Sequence, residues 1–506
     1  MTAWSRALLA LVAGALMPLA YAPFDLYPLG LLSLAALFYL WHQAAPRQAF
    51  GLGLLFGLAM FGGGVSWVYI SIHEYGYVPL GLSVLLTLLF VLVLALFPAV
   101  CGYVAVYCRV VFDRLSSRSD MWFIVLLLPA LWMLFEWVRG WFLTGFPWLH
   151  LGYSYTDAAL AGFAPLFGVY GVSLLAAVSS SLLLLALMRR RGDISGGYLL
   201  SIVVLWTTGE LLSHVEWTEA KGETLRVSMV QGNISQDMKW LADMRQPTLN
   251  HYAALTREHW DSDLVIWPET AIPLFSFQAQ EFLATMTAES ALNDTDLLVG
   301  LVYQDQVSGA YYNSMLGLGV DGGRYNKQHL VPFTEYLPLK SVFAGLVDVL
   351  NVPMSDFSAG DVKQAPMSLA GQAIGISICY EDAFGEEVIR SLPQASLLVN
   401  VSNDAWFAGS IAPAQHLQMA RMRSLETGRE LMRATNTGIS AFIAADGKLS
   451  QVAPQFSTEV LTQDVQPRSG ATPYVRVGNA AALLLALIMI VVAVVLLRSE
   501  SVKKKN

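Results

Sequence analysis

Charge is what this sequence has least of. Only 13% of its 506 residues are Asp, Glu, Lys or Arg, while 55% are hydrophobic, a balance too apolar for an ordinary soluble enzyme. Basic runs are missing from its polar part and the net charge is −8, so nucleic acid is excluded as an expected partner. Cysteine is scarce as well. Cys101, Cys108 and Cys379 are the only three, too few for a disulfide framework, and no CxxC or clustered His/Cys spacing points to a structural metal. Neither a metal nor a cofactor is expected. Repeats and low-complexity tracts are also lacking.

Long apolar runs, by contrast, abound. Crossing a bilayer takes about 20 mostly apolar residues, and seven such stretches fall near 6–24, 26–42, 50–71, 79–108, 121–138, 159–188 and 196–213. The first two are short, separated only by the turn Pro23-Phe24-Asp25. An eighth, 477–497, follows a mixed, acidic region that has the character of a water-exposed domain. The expected organisation is a seven-helix membrane domain over 1–213, a polar domain over 214–475, and a last span with a basic tail over 476–506. Ala20-Tyr21-Ala22 resembles a signal-peptide cleavage site, but Pro23 directly after it and the spans that follow oppose cleavage.

Lysine and arginine set the orientation. Arg6, Arg47, Arg109, Arg114, Arg118, Arg189-Arg190-Arg191, Arg498 and Lys503-Lys504-Lys505 all map to one side, whereas the opposite short loops carry essentially Arg139 alone. Both termini are therefore expected in the cytoplasm, with 214–475 on the periplasmic or external face. Glu136 and Arg139, three apart near a helix end, are spaced to pair on one face. The tryptophan-rich stretch Trp137–Trp148 reads either as an interfacial anchor or as a contact for a lipid substrate. His73, Glu74 and Tyr75 are expected in an exposed loop.

After residue 225 the pattern turns to short β-rich runs alternating with helical ones. Expected strands are Leu225–Gln231, Leu264–Trp267, Leu297–Tyr303, Ser314–Gly319, Ala373–Cys379, Leu397–Ser402 and Gly438–Ala444; expected helices are 244–260, 278–292, 382–391 and 413–428. Apolar, β-branched strands alternating with helices suggest a layered α/β sandwich. Three residues in it carry reactive groups: Glu269 in Ile266-Trp267-Pro268-Glu269, Lys327 in Lys327-Gln328-His329-Leu330-Val331-Pro332-Phe333, and Cys379 in Ile378-Cys379-Tyr380-Glu381-Asp382. Taken singly they read as a solvated carboxylate, a surface lysine and a core thiol. Together they can form a covalent hydrolase or acyltransferase site.

The order Glu, Lys, Cys at strand ends resembles the nitrilase superfamily. Flanking words narrow this: Val230-Gln231-Gly232-Asn233, His329 to Tyr336, Asn400-Val401-Ser402-Asn403-Asp404-Ala405-Trp406-Phe407, Gln415 to Arg423 and Arg433 to Gly438 are similar to the apolipoprotein N-acyltransferase family along essentially the whole chain. Ala408-Gly409 departs from it slightly, since glycine often follows the Trp-Phe pair directly. The resemblance implies a multi-pass α-helical membrane domain of about eight helices joined to an α/β nitrilase-like αββα sandwich. It implies Glu269 as base, Lys327 as oxyanion stabiliser and Cys379 as nucleophile. Glu335 would hold the lysine or shuttle a proton, Tyr380 and Glu381 would support the nucleophile, and Trp240 would contact substrate; His329 and His416 read as structural. The implied reaction is ping-pong. Cys379 takes an acyl chain from a phospholipid, and the α-amine of an S-diacylglyceryl cysteine at a lipoprotein N-terminus attacks the thioester.

A bacterial inner-membrane monomer is the implied setting. The apolar, Pro- and Gly-containing stretch Leu337–Phe357 is expected to act as a lid dipping into the bilayer. Two other readings compete: a membrane-tethered amidase hydrolysing small amides, and a transporter with a non-catalytic domain.

Overall fold

The computed structural model describes residues 1–112, 119–188, 193–319, 322–336 and 356–503. Arg114, Arg118, Arg189, Arg190, Arg191, Lys504 and Lys505, invoked for orientation, lie outside these, as does most of the expected lid (337–355). The chain divides into two units. One holds Met1–Tyr69, Leu80–Val215 and Arg476–Asn506; the other holds Ile70–Pro79 and Glu216–Val475.

In the first unit, six helices of the described residues are long and apolar enough to span a bilayer: Ala3–Ala20, Leu80–Phe112, Asp120–Arg139, Ala159–Met188, Ser195–Ser213 and Ala480–Arg498. Pro46–Gly64 makes a seventh when taken with the helical stretch Val68–Tyr75. Pro28–His42 has 15 residues, about 22 Å of helix, short of the roughly 30 Å hydrocarbon core. The figure of eight helices is thus approximate. Leu85, Leu88, Leu89, Val93 and Leu96 of one helix are all exposed, an apolar surface that suits lipid. Gly53 and Gly57 let helix Pro46–Gly64 approach Leu80–Phe112: a Cβ on Gly53 would meet the Pro98 carbonyl oxygen at 2.5 Å, and one on Gly57 the Ala95 Cα at 2.7 Å. This is small-xxx-small packing.

Glu136 and Arg139 are both buried, but they bind the chain that follows them. Glu136 Oε1 accepts from Trp132 Nε1 (3.0 Å) and from the Leu151 N–H (2.8 Å), and Arg139 donates to the carbonyls of Phe146 (2.9 Å) and Trp148. With Trp148 buried and Trp141, Phe142 and Leu143 exposed, the pair moulds a loop rather than closing one helical face.

The second unit has fifteen strands among its described residues. A ribbon pairs β1 (Thr218–Ala220) with β15 (Arg468–Gly470). One sheet contains β2 (Leu225–Gln231), β3 (Leu264–Ile266), β4 (Ile272–Phe275), β5 (Asp296–Gln304), β6 (Tyr311–Leu318), β7 (Gly323–Asn326) and β14 (Glu459–Val465). Its order is β14-β2-β3-β5-β6-β7, with β4 beside β5. The other contains β8 (Met367–Leu369), β9 (Gln372–Ile378), β10 (Leu397–Ser402), β11 (Leu431–Thr435), β12 (Ala441–Ile443) and β13 (Leu449–Val452), ordered β13-β12-β11-β10-β9-β8. Each has a parallel centre, β2-β3-β5 or β9-β10-β11, and antiparallel flanks.

Strand periodicity of two gives each sheet two apolar faces. Leu225, Val227, Met229, Leu264 and Ile266 of the first pack against Ile374, Ile378, Val399, Val401 and Met432 of the second. Outside them, helices Arg245–Arg257 and Gln280–Asn293 cover the first sheet through Leu249, Tyr252 and Met286, and helix Ala412–Thr427 covers the second through Leu417 and Ala420. The layers run helix, sheet, sheet, helix.

Two expectations change. Residues 382–391 are no single helix but a 3₁₀ turn Cys379–Ala383, a short helix Gly385–Val388 and another turn Ile389–Ser391. Phe384, extended at φ −106° and ψ 90°, breaks the run, and the chain beyond it packs closely, a Cβ at Gly385 meeting Arg423 Nη1 at 2.2 Å. Ser71–Tyr75 is a π-helical turn, not a free loop. It packs on the β10 exit, where Ser71 Oγ donates to the Trp406 carbonyl (2.7 Å) and the Tyr75 and Trp406 rings lie 5.7 Å apart.

Candidate active site

Both sheets deliver side chains from the C-terminal ends of their parallel strands, where open α/β sheets gather functional groups. After β3, Trp267 is fully buried, 5.0 Å from Tyr252, and its indole N–H donates to Thr256 Oγ1 (2.9 Å). Pro268 cannot extend the ladder, so the chain turns, and Thr270 adopts a left-handed φ of 47°. Glu269 is thereby thrust inward, 7% exposed. Gly300 on β5 makes room for this turn, since a Cβ there would meet the Pro268 carbonyl oxygen at 2.3 Å and the Thr270 nitrogen at 2.6 Å.

Lys327 follows β7, its N–H donating to the Asn313 carbonyl (2.8 Å) and its carbonyl accepting from Gly360 (2.7 Å). Its ammonium, 1% exposed, lies 2.9 Å from Glu335 Oε1 and 3.6 Å from Glu269 Oε1. Burial lowers the lysine pKa, but Glu335, Glu269 and Cys379 outweigh it and leave the group raised, hence charged. Asn313 Nδ2 bridges the two carboxylates, donating to Glu269 Oε1 (2.7 Å) and Glu335 Oε1 (3.1 Å). The Asn403 N–H, from the opposite sheet, donates to Glu269 Oε2 (2.9 Å).

Cys379 directly follows β9 with φ at 52°. A left-handed backbone at a residue bearing a Cβ is uncommon and costs about 1–3 kcal/mol, a strain that concentrates at functional sites. Part of the residue stays accessible. Burial first, then Glu269, push its thiol pKa up, and Lys327 opposes them; the three groups feel one another's charge.

Glu335 thus joins the cluster, its Oε2 also accepting from the Val331 N–H (2.8 Å). Glu381 stands behind it as a tie. It accepts from the Ile378 N–H (2.6 Å), the Gln328 N–H (2.5 Å), the His329 N–H (3.2 Å) and the Tyr325 hydroxyl (3.0 Å), so the turn after Cys379 and the chain after Lys327 share one carboxylate. Burial raises its pKa to about 7 despite these donors. Tyr380 packs edge-on against His329 (5.5 Å) and Phe384 (4.9 Å). Trp240 is half-buried at the end of helix Gln236–Lys239.

Three participants escaped the sequence reading. Asn313 stood unremarked, one residue before the expected strand Ser314–Gly319 and inside the observed Tyr311–Leu318, and nothing local marked it. Asn403 was part of a quoted motif, yet its contribution is a backbone N–H. Lys239, next to Trp240, is buried, and its Nζ donates to Thr270 Oγ1 (2.7 Å) and the Glu269 carbonyl (3.4 Å). Burial lowers its pKa to about 8 while Glu269 opposes the shift.

Known proteins match this chain over nearly its full length. The family described as "Apolipoprotein N-acyltransferase N-terminal domain" matches residues 13–182 and "Carbon-nitrogen hydrolase" matches 226–474. The apolipoprotein N-acyltransferase of Methylococcus capsulatus is 47% identical over 478 residues, covering 94% of this chain and 93% of its own. That of Nitrosomonas europaea is 44% identical over 489 residues, covering 96% of each. The Coxiella burnetii protein of the same name is 40% identical, covering 93% of this chain and 96% of its own. A membrane unit, a carbon-nitrogen hydrolase sandwich and full-length relatives agree: the chain belongs to the apolipoprotein N-acyltransferase family.

Proposed function

We propose that this protein transfers a fatty acyl chain from a phospholipid to the free α-amine of the S-diacylglyceryl cysteine at a lipoprotein N-terminus, through a thioester on Cys379. One observation carries the reading: Glu269 and Lys327, 3.6 Å apart, act electrostatically on a cysteine held in a left-handed backbone. In the first half-reaction Glu269 takes the thiol proton as sulfur attacks the ester carbonyl. Negative charge gathers on the carbonyl oxygen, where the fixed Lys327 ammonium meets it. Collapse breaks the ester C–O bond, the departing oxygen takes the proton back from Glu269, and lysophospholipid leaves. In the second, the amine attacks the thioester, Glu269 accepts the amine's proton and returns it to sulfur as the C–S bond breaks, leaving amide, thiol and a free carboxylate. Glu335 and Asn313 keep lysine and base in register, Glu381 and Tyr380 support the nucleophile, and Trp240 lines the approach of substrate.

Domain 214–475 would perform this chemistry on the periplasmic side of the bacterial inner membrane. The domain 1–213 and the span in 476–506 would anchor it with both termini cytoplasmic, as a monomer. The distribution of Lys and Arg supports that orientation. Relatives that match the membrane region as fully as the sandwich weigh against a tethered amidase, which has no need of so many spans. Incubation with radiolabelled phospholipid should give an acyl-protein adduct that neutral hydroxylamine cleaves and that Cys379→Ala lacks. An amide-linked chain appearing on lipoprotein with no trappable thioester would overturn the mechanism.

A further inference from the structure

Beneath Cys379 lies a second cluster of charge that the reaction above does not use. Asp382, Asp404, His416 and Arg433 are each at most 1% exposed. They come from the turns after β9 and β10, from helix Ala412–Thr427 and from β11. Arg433 spans the carboxylates, Nη1 to Asp382 Oδ2 and Nη2 to Asp404 Oδ2, both at 3.0 Å. His416 spans them from the other side, Nε2 to Asp382 Oδ1 at 2.8 Å and Nδ1 to Asp404 Oδ1 at 3.1 Å. The box reaches the nucleophile directly. The Cys379 carbonyl accepts from His416 Nε2 (3.3 Å) and from Asn400 Nδ2 (3.3 Å), and Asn400 Oδ1 in turn accepts from Arg433.

Proton placement follows from the neighbours. His416 Nε2 lies beside two oxygens that accept, a carboxylate and a carbonyl, so it carries a hydrogen. Nδ1 faces Asp404 Oδ1 at 3.1 Å, an acceptor that calls for a hydrogen there, and at 2.9 Å the donor Arg433 Nη2, which calls for none, so the charge balance decides. With Nδ1 also protonated, two anions meet two cations and the box is neutral. With it bare, one net negative charge is buried under a sulfur that must itself become negative. Burial and Arg433 lower the imidazole pKa, yet Asp382 and Asp404 outweigh them and raise it to about 9. Asp404 also acts on the thiol, pushing its pKa up.

We propose that His416 is a positioning residue for the nucleophile: as an imidazolium between Asp382 and Asp404 it holds the Cys379 carbonyl, and with it the left-handed turn, while cancelling the charge beneath the sulfur. The proposal rests on Cys379 being the nucleophile. Its test, however, reads the thiol itself: the rate at which iodoacetamide alkylates Cys379 in the full-length protein in detergent, followed by site-resolved mass spectrometry across pH 6–10.

In His416→Gln the amide can still donate to the Cys379 carbonyl, but the box keeps a net negative charge. Alkylation at pH 8 should slow about tenfold, the equivalent of one unit of thiol pKa. The parent rate should flatten above about pH 9, where His416 loses its proton, and the variant should show no such break. His416→Gln/Asp404→Asn restores neutrality and should recover the parent rate, a rescue that a merely structural role would not give. Unchanged alkylation in a folded His416→Gln overturns the proposal, and so does failure of the double variant to fold or to recover. If the single variant does not fold, the double variant alone decides. Acyl transfer surviving in Cys379→Ala would sink the nucleophile assignment while leaving the thiol's dependence on His416 to stand or fall by these rates.

Discussion

Replacing Glu335 by glutamine probes the buried charges at the site with almost no change of shape. The carboxylate accepts from Lys327 Nζ (2.9 Å), Asn313 Nδ2 (3.1 Å) and the Val331 N–H (2.8 Å). An amide has one acceptor oxygen and presents its own N–H groups on the other side, so at least one buried donor loses its partner, at about 1–3 kcal/mol. Lys327 also loses its nearer anion and keeps Glu269 at 3.6 Å. Breaking a buried pair outright costs about 3–5 kcal/mol, and because one carboxylate remains the lower end, about 3 kcal/mol, applies. For a domain of this size each kcal/mol moves Tm by about 2–4 °C, so melting should fall by roughly 6–12 °C. Drawn wholly to Glu269, the ammonium makes that carboxylate a poorer proton acceptor, and Cys379 acylation should slow about 10–100-fold. Differential scanning fluorimetry of the detergent-solubilised protein and a quenched-flow acylation assay with labelled phospholipid measure the two effects. A variant that melts within about 2 °C of the parent and acylates at the parent rate would refute the coupled Glu269–Lys327–Glu335 picture.

Lys327→Met should reduce thioester formation by about 10²–10³-fold, as loss of an oxyanion donor does; single-turnover acylation reads it, and a smaller effect on the chemical step would remove the lysine from that role. Gly300→Ala puts a methyl against the Pro268–Thr270 backbone and should slow acylation by displacing Glu269 while leaving lipid binding intact, which labelled-vesicle retention checks. Stability should fall as pH rises from about 6.5 to 9. His416, raised to about 9, contributes fully below its unfolded pKa near 6.5, and that contribution, about 3 kcal/mol, disappears as pH passes the folded value. Glu381, raised to about 7, changes in the same direction over a lower range; Tm measured against pH should decline across this window and flatten in His416→Gln.

Much of this was legible in the sequence because the decisive features are local. Leu225–Gln231 and Leu397–Ser402 are apolar, β-branched and cleanly bounded, and they form strands at those limits. Glu269, Lys327 and Cys379 stood out because each ends or follows a short run with a distinctive neighbour, Pro268, His329 or Tyr380. Strands such as Gly323–Asn326 and Met367–Leu369 passed unnoticed, being too short to show a period of their own; partner strands hold them. Asn313 and the Asp382–Asp404–His416–Arg433 box were invisible for another reason. Their partners lie far away along the chain, and only the pairing of strands within each sheet, with the helix Ala412–Thr427 laid over the second, brings them together. The Glu136–Arg139 spacing foretold proximity but not that each would bind the backbone beyond it.

Base and nucleophile stand on different sheets: Glu269 follows β3 and Cys379 follows β9. Polar ties pin those sheets together at points, among them the Asn403 N–H to Glu269, Glu381 to Gln328, His329 and Tyr325, Ser440 to Gln231 and Gln451 to Thr462; the ground between them is the apolar layer of Val227, Met229 and Ile266 against Ile378, Val399 and Val401. That oily layer, with those ties, sets the distance of proton transfer. Interiors are packed too tightly to deform smoothly, so a core substitution that leaves the fold intact but lets one sheet slip a fraction of an ångström separates the two groups. In this protein, rate would report on the fit of the core before melting does.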